Sequence, residues 1–285
     1  MLVNLDYVLK DAQKNKYGVG LFNTTDTDML EAVISAAEEL NSPVIIGTAE
    51  VLLPYGELKL IAPAMIAAAK RAKVPVVVHY DHGLTFERCM EALNLGFSSV
   101  MFDGSASPYE KNIADTAEIV KIAHAVGATV EGEIGHVGSA DAGDEDATDM
   151  YTRVDEAKAY MEATGVDALA VSIGTAHGAY KSKPKLDFNR LSDIHNAISV
   201  PLVLHGGSGL SDDDFKNAIA NGISKVNIFT DLCAAGILAC KESVEKDNLP
   251  LDMNTYLGMR NLKVEKMKAA VKEKIKLFGS DGKAK

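Results

Sequence analysis

Residues Val74–Gly83 read VPVVVHYDHG, a valine-rich run that gives way to His79, Asp81, His82 and Gly83. Continuous apolar runs of this length suit a strand buried on both faces, as strands of parallel sheets are. Such a run ending in His and Gly opens onto solvent or a ligand. Two further stretches repeat the design: ALAVSIGTAHG (Ala168–Gly178) and PLVLHGGSG (Pro201–Gly209). Each delivers one histidine, His82, His177 or His205, where its apolar stretch ends. In a parallel barrel those strand ends converge on one mouth.

Outward from these stretches the same alternation continues. Strands are expected over Gly18–Asn23, Pro43–Thr48, Val74–Asp81, Ser98–Asp103, Thr129–Gly135, Ala168–Gly174, Pro201–His205 and Lys225–Ile228. Amphipathic stretches such as MLEAVISAAEEL and EKNIADTAEIVKIAHAVG separate them, several ending in Gly as helix C-caps do. Strand–helix recurrence of this kind predicts an α/β fold, a (β/α)8 TIM barrel, rather than a doubly wound sheet. No GxGxxG follows the first strand. The reading is one domain over residues 1–285, with 241–285 a helical C-terminal extension. There Val264, Met267, Val271 and Ile275 share the spacing of one helix face.

A net charge of -11 without a basic, aromatic-interleaved stripe argues against nucleic acid as partner. No apolar run approaches membrane-spanning length, and the N-terminus lacks a signal-peptide core. Three cysteines without CxxC spacing fit a reducing compartment, so a cytoplasmic location is expected.

A histidine alone at a strand end is most often a hydrogen-bonded structural residue. Three at corresponding ends of one barrel point instead to zinc or another transition metal. Three imidazoles leave an open coordination position, which suits catalysis rather than structure. Asp81, beside His82, reads as a general acid/base over that metal, or as a hydrogen-bonding orienter of a neighbour. His79 shares a face with Asp81 and reads as packed or supporting. Asp103 closes the fourth strand and Glu133 lies on the fifth; they offer a second metal position or hydrogen bonds to the first. A phosphate signal occupies two loops, GGSG (Gly206–Gly209) and NIFTD (Asn227–Asp231). There Gly206, Gly207, Ser208 and Thr230 supply close approach and donors. Lys181 adds charge to the same region or is a solvated loop lysine. The acidic stretch from His136 to Thr152 reads as a lid or a disordered loop.

In HYDHG, SVMFDGS, VEGEIG, GTAHGAYK, VPLVLHGGSG and KVNIFT, taken in this order, the chain resembles the class II, zinc-dependent ketose-bisphosphate aldolases that act on fructose and tagatose bisphosphates. The resemblance runs nearly end to end. It implies that Asp81 is the catalytic acid/base at the aldehyde-derived oxygen and that His82, His177 and His205 hold Zn2+. Asp103 and Glu133 would form a second cation position, divalent or monovalent, or an alternative place for a mobile zinc. Gly178, Gly206, Gly207, Ser208, Asn227, Ile228, Phe229 and Thr230 would cradle dihydroxyacetone phosphate. The implied partner is a small phosphorylated sugar, and the implied assembly a homodimer or homotetramer. Fructose 1,6-bisphosphate leads as substrate. Tagatose 1,6-bisphosphate, another ketose 1-phosphate, an epimerase or isomerase reaction, and a non-catalytic sugar-phosphate-binding accessory subunit are the alternatives.

Two stretches depart from the family pattern. HVGSADAGDEDAT replaces a compact Gly-Gly-x-Glu-Asp segment, so the lid carboxylate falls to Glu145, to Asp144 or to neither. Where many members carry an Arg for the distal phosphate this chain has Val264, with Arg260 and Asn261 upstream.

Overall fold

A computed structural model describes residues 1–135, 137, 151–176, 184–245 and 250–285. Eight parallel strands form a closed barrel: β2 (Val19–Asn23), β3 (Val44–Ala49), β4 (Val76–Gly83), β5 (Ser99–Phe102), β6 (Thr129–Ile134), β7 (Ala168–Val171), β8 (Leu202–Leu204) and β9 (Ile223–Ile228). Each pairs with its sequence neighbour, and the β2–β9 pairing completes the circle. A short additional strand, β1 (Leu2–Val3), adds to β4 at Val76 and Val77 and has no counterpart in the sequence reading. Every expected strand forms. The last one starts two residues earlier than expected, taking in Ile223 and Ser224, and the Lys225 side chain is buried against Glu131.

Side chains alternate between two apolar environments, as the two-residue repeat requires. Outward positions such as Val44, Val76, Val100, Leu169 and Val226 join the layer beneath the helices. Inward positions such as Leu21, Ile45, Val77, Met101, Ala170 and Val203 fill the lower barrel. Helix α1 (Leu5–Asn15) closes that end with Leu5, Val8, Leu9 and Ala12, its first turn capped by the Asn4 side chain on Tyr7 N–H. Further along the strands the inward positions turn polar: His79 and Asp81 on β4, Glu131 and Glu133 on β6, Lys225 and Asn227 on β9. All are buried. The barrel is therefore apolar at its N-terminal end and ionic towards the strand C-termini, where barrel active sites are built.

The surrounding helices include α2 (Thr27–Glu39), α3 (Leu58–Arg71), α4 (Phe86–Leu95), α5 (Tyr109–Ala125), α6 (Val154–Thr164), α7 (Phe188–Ala197), α8 (Asp212–Ala220) and α9 (Thr230–Val244). The long α10 (Met253–Phe278) packs along α2 and α9. Its expected apolar face, Val264, Met267, Val271 and Ile275, is buried, and Phe278 stacks at 5.2 Å from Phe215 of α8. Among the described residues no helix is long and apolar enough to cross a membrane. Cys89, Cys233 and Cys240 are free thiols.

Candidate active site

Successive residues of a regular strand point to opposite faces, so Asp81 and His82 would ordinarily part. The β4–β5 pairing shifts register between Tyr80 and Gly83, and His82 adopts φ 45°. That left-handed conformation costs a non-glycine residue about 1–3 kcal/mol and persists only where the surroundings hold it. Here it turns both side chains into one cluster. Ligand atoms of Asp81, His82 and His205 lie within 4.8 Å of one another.

The two imidazoles face each other, His205 Nδ1 lying 2.8 Å from His82 Nε2. Both remaining ring nitrogens meet carboxylates: His82 Nδ1 is 2.8 Å from Asp103 Oδ2, and His205 Nε2 is 2.8 Å from Glu131 Oε1. Ser105 donates its backbone N–H and its hydroxyl to Asp103 Oδ1. Asp81 is held from two strands, accepting from Asn23 Nδ2 at 2.9 Å and from Asn227 Nδ2 at 3.0 and 3.2 Å. Deeper in the barrel Lys225 Nζ sits 2.7 Å from Glu131 Oε2, an ion pair without a well-aligned hydrogen bond. His79 Nδ1 lies 2.8 Å from Ser99 Oγ, so the expectation of a packed residue holds.

The charges follow from this network. Burial opposes charge on His82, but Asp81, the Asp103 hydrogen bond and Glu133 outweigh it and raise its pKa to about 9. Burial would raise Asp81, yet His82, Lys225 and His205 hold it well below the usual carboxylate range. Burial likewise opposes the Glu131 carboxylate, and Lys225 and His205 bring it down to about 2. Glu133 goes the other way: burial and then the Asp103 charge push it up to about 8. Its Oε2 is buried without a hydrogen-bond partner, close to His82 and Asp103.

The two expected phosphate loops meet. The Phe229 N–H donates to Ser208 Oγ at 3.3 Å, and the Phe229 side chain makes no capping hydrogen bond at the start of α9. Helix α8, by contrast, is closed by a Ser211–Asp214 capping box. Gly206 adopts φ 65°, and a Cβ there would lie 2.4 Å from the Ala176 carbonyl oxygen. Gly206→Ala is therefore expected to destabilise the fold by at least the ~1–2 kcal/mol of a left-handed residue, plus the clash. A drop of several degrees in Tm by calorimetry checks it; an unchanged Tm counts against this geometry. Arg260 does not stand free: Nε donates to Asp28 Oδ1 at 3.0 Å, and the guanidinium also pairs with Glu31. Lys263 pairs with Asp28 at 2.6 Å. His177, Gly178, Lys181, Asp144 and Glu145 lie outside the described residues.

The profile described as "Fructose-bisphosphate aldolase class-II" matches residues 3–283. The chain belongs to the class II fructose-bisphosphate aldolase family. Among curated relatives of this aldolase-family chain is the uncharacterized protein YdjI of Escherichia coli strain K12, 42% identical over 285 residues, with both chains fully covered. The fructose-bisphosphate aldolase of Thermus caldophilus is 39% identical over 311 residues, again with both fully covered. The X-ray structure of the YdjI aldolase from E. coli K12 superposes with TM-score 0.88 at 40% identity, covering all of both chains.

The residues present fit a divalent cation. Two ring nitrogens face one another while carboxylates hold the opposite nitrogens, the arrangement that orients histidine ligands in metal sites. The orphaned Glu133 oxygen beside His82 and Asp103 adds a further anionic donor. Three contributors to this family member's site escaped the sequence reading. Asn23 carries no motif, Glu131 is not singled out within VEGEIG, and Lys225 enters only as the start of a strand. The signal available for Lys225 was its place, two residues before Asn227 on the strand that continues into a functional loop.

Proposed function

We propose that this chain is a metal-dependent aldolase cleaving a ketose 1-phosphate or 1,6-bisphosphate to dihydroxyacetone phosphate and an aldehyde. The observation carrying this reading is Asp81, a buried carboxylate steadied by two amides and adjoining the facing histidines. His82 and His205, with His177 as third, would hold the cation, Zn2+ being the leading identity. When bound it supplies Lewis acidity to the substrate's carbonyl. Asp81 takes the proton from the C4 hydroxyl as the C3–C4 bond breaks. The bond's electron pair stays with the C1–C3 fragment, which takes up a solvent proton at C3 to become dihydroxyacetone phosphate. The same transfers run in reverse for condensation. Asn23 and Asn227 keep that carboxylate aimed. Gly206, Gly207 and Ser208, with the opening of α9, receive the C1 phosphate through close backbone approach and donors.

Fructose 1,6-bisphosphate is the leading substrate, supported by the 39% identity to the fructose-bisphosphate aldolase of Thermus caldophilus. One observation favours a second substrate without a distal phosphate. Arg260 and Lys263, the cations nearest the family's expected position, are already engaged by Asp28 and Glu31 on α2. Tagatose 1,6-bisphosphate tests the C4 configuration. A coupled assay for dihydroxyacetone phosphate across these sugars should detect release that EDTA abolishes and Zn2+ restores. Undiminished cleavage after thorough metal removal, or no cleavage of any ketose phosphate by the zinc-loaded protein, would reject the proposal.

A further inference from the structure

We infer that Lys225 is a positioning residue for His205, acting through Glu131. The inference rests on the reading of His205 as a metal ligand. Lys225 is fully buried, and its register partners on either side are Val19 and Val203. A lysine there is not what packing alone selects. Well-packed apolar residues in place of a buried ion pair are often neutral or stabilising.

The geometry supplies the role. A carboxylate has two oxygens, and those of Glu131 have separate partners: Oε2 lies 2.7 Å from Lys225 Nζ, Oε1 2.8 Å from His205 Nε2. The ammonium anchors one oxygen, which leaves the other aimed at the imidazole. Because Glu131 accepts, His205 donates from Nε2 and turns its Nδ1 lone pair towards His82 Nε2, 2.8 Å away. His79 bounds the same carboxylate, its Nε2 3.7 Å from Glu131 Oε2. Without Lys225 the carboxylate could rotate towards His79, and the ring it steadies would lose its fixed face.

Two variants and one spectrum test this. Lys225→Met removes the anchor but leaves Glu131 buried alone, which could unfold the chain. The double variant Lys225→Met/Glu131→Gln is neutral at both positions and removes that penalty. Co2+ affinity by competition titration and the visible Co2+ absorption are the readouts. Both variants should bind Co2+ about 10- to 100-fold more weakly, with an altered spectrum, as loss of an outer partner of a ligating histidine does. A folded double variant with unmodified affinity and spectrum would show that Lys225 only balances charge, and would overturn the inference.

The spectrum needs no variant. In the metal-free, 15N-histidine-labelled protein, NMR should find the His205 proton on Nε2; a proton on Nδ1 overturns the inference by itself. Neither readout depends on turnover. Ordered Co2+ binding without cleavage of any ketose phosphate would defeat the proposed function alone. Cleavage with His205 protonated on Nδ1 would defeat this inference alone.

Discussion

Replacing Asp81 with Ala is expected to lower kcat for aldol cleavage by about 10²–10⁴-fold, the usual range for losing a general acid/base. Metal content should stay near that of the unmodified protein, because Asp103 and Glu131 still hold the rings of His82 and His205. The isosteric Asp81→Asn separates chemistry from packing. It keeps the volume beside Asn23 and Asn227 but cannot accept the substrate's proton. Steady-state kinetics with elemental analysis check both variants. A folded, metal-replete Asp81→Asn protein retaining more than a tenth of kcat would remove Asp81 from the proton-transfer step.

The second large effect concerns the cation. His205→Ala removes a nitrogen facing His82 and should abolish stoichiometric metal binding. Cleavage should fall by on the order of 10³-fold or more, since Lewis-acid stabilisation is worth several kcal/mol and each 1.36 kcal/mol is tenfold in rate. The Glu131–Lys225 ion pair survives this change, so the barrel should still fold. Circular dichroism and metal analysis distinguish site loss from unfolding. Full metal occupancy in a folded His205→Ala protein would contradict the assignment.

These residues differ in how plainly the sequence announces them. His82 and His205 stand out because each interrupts an apolar run just before Gly, and recurrent strand–helix spacing brings their strand ends together. The barrel was legible for the same reason: each unit's pattern is local. Asp81 beside His82 was legible as a pair but not as a geometry. Period-two alternation sends neighbours apart, and only the irregular β4–β5 pairing and φ 45° at His82 reunite them. Asn23 had no local mark at all, since its role depends on β2 standing two strands from β4. Glu131 and Lys225 become partners only when β6 and β9 face each other across the closed barrel. No periodicity within either strand encodes that meeting.

The same pair bears on how the barrel reaches its alignment during folding. A one-residue slip of β9 would exchange its inward and outward sets, expelling Lys225 and stranding Glu131 in a dry interior. A stranded charge costs several kcal/mol, whereas apolar residues on both faces of β9 would tolerate the slip with far less loss. Lys225 and Glu131 thus act as a register pin, penalising the misaligned closures that a valine-rich parallel barrel would otherwise find nearly as good.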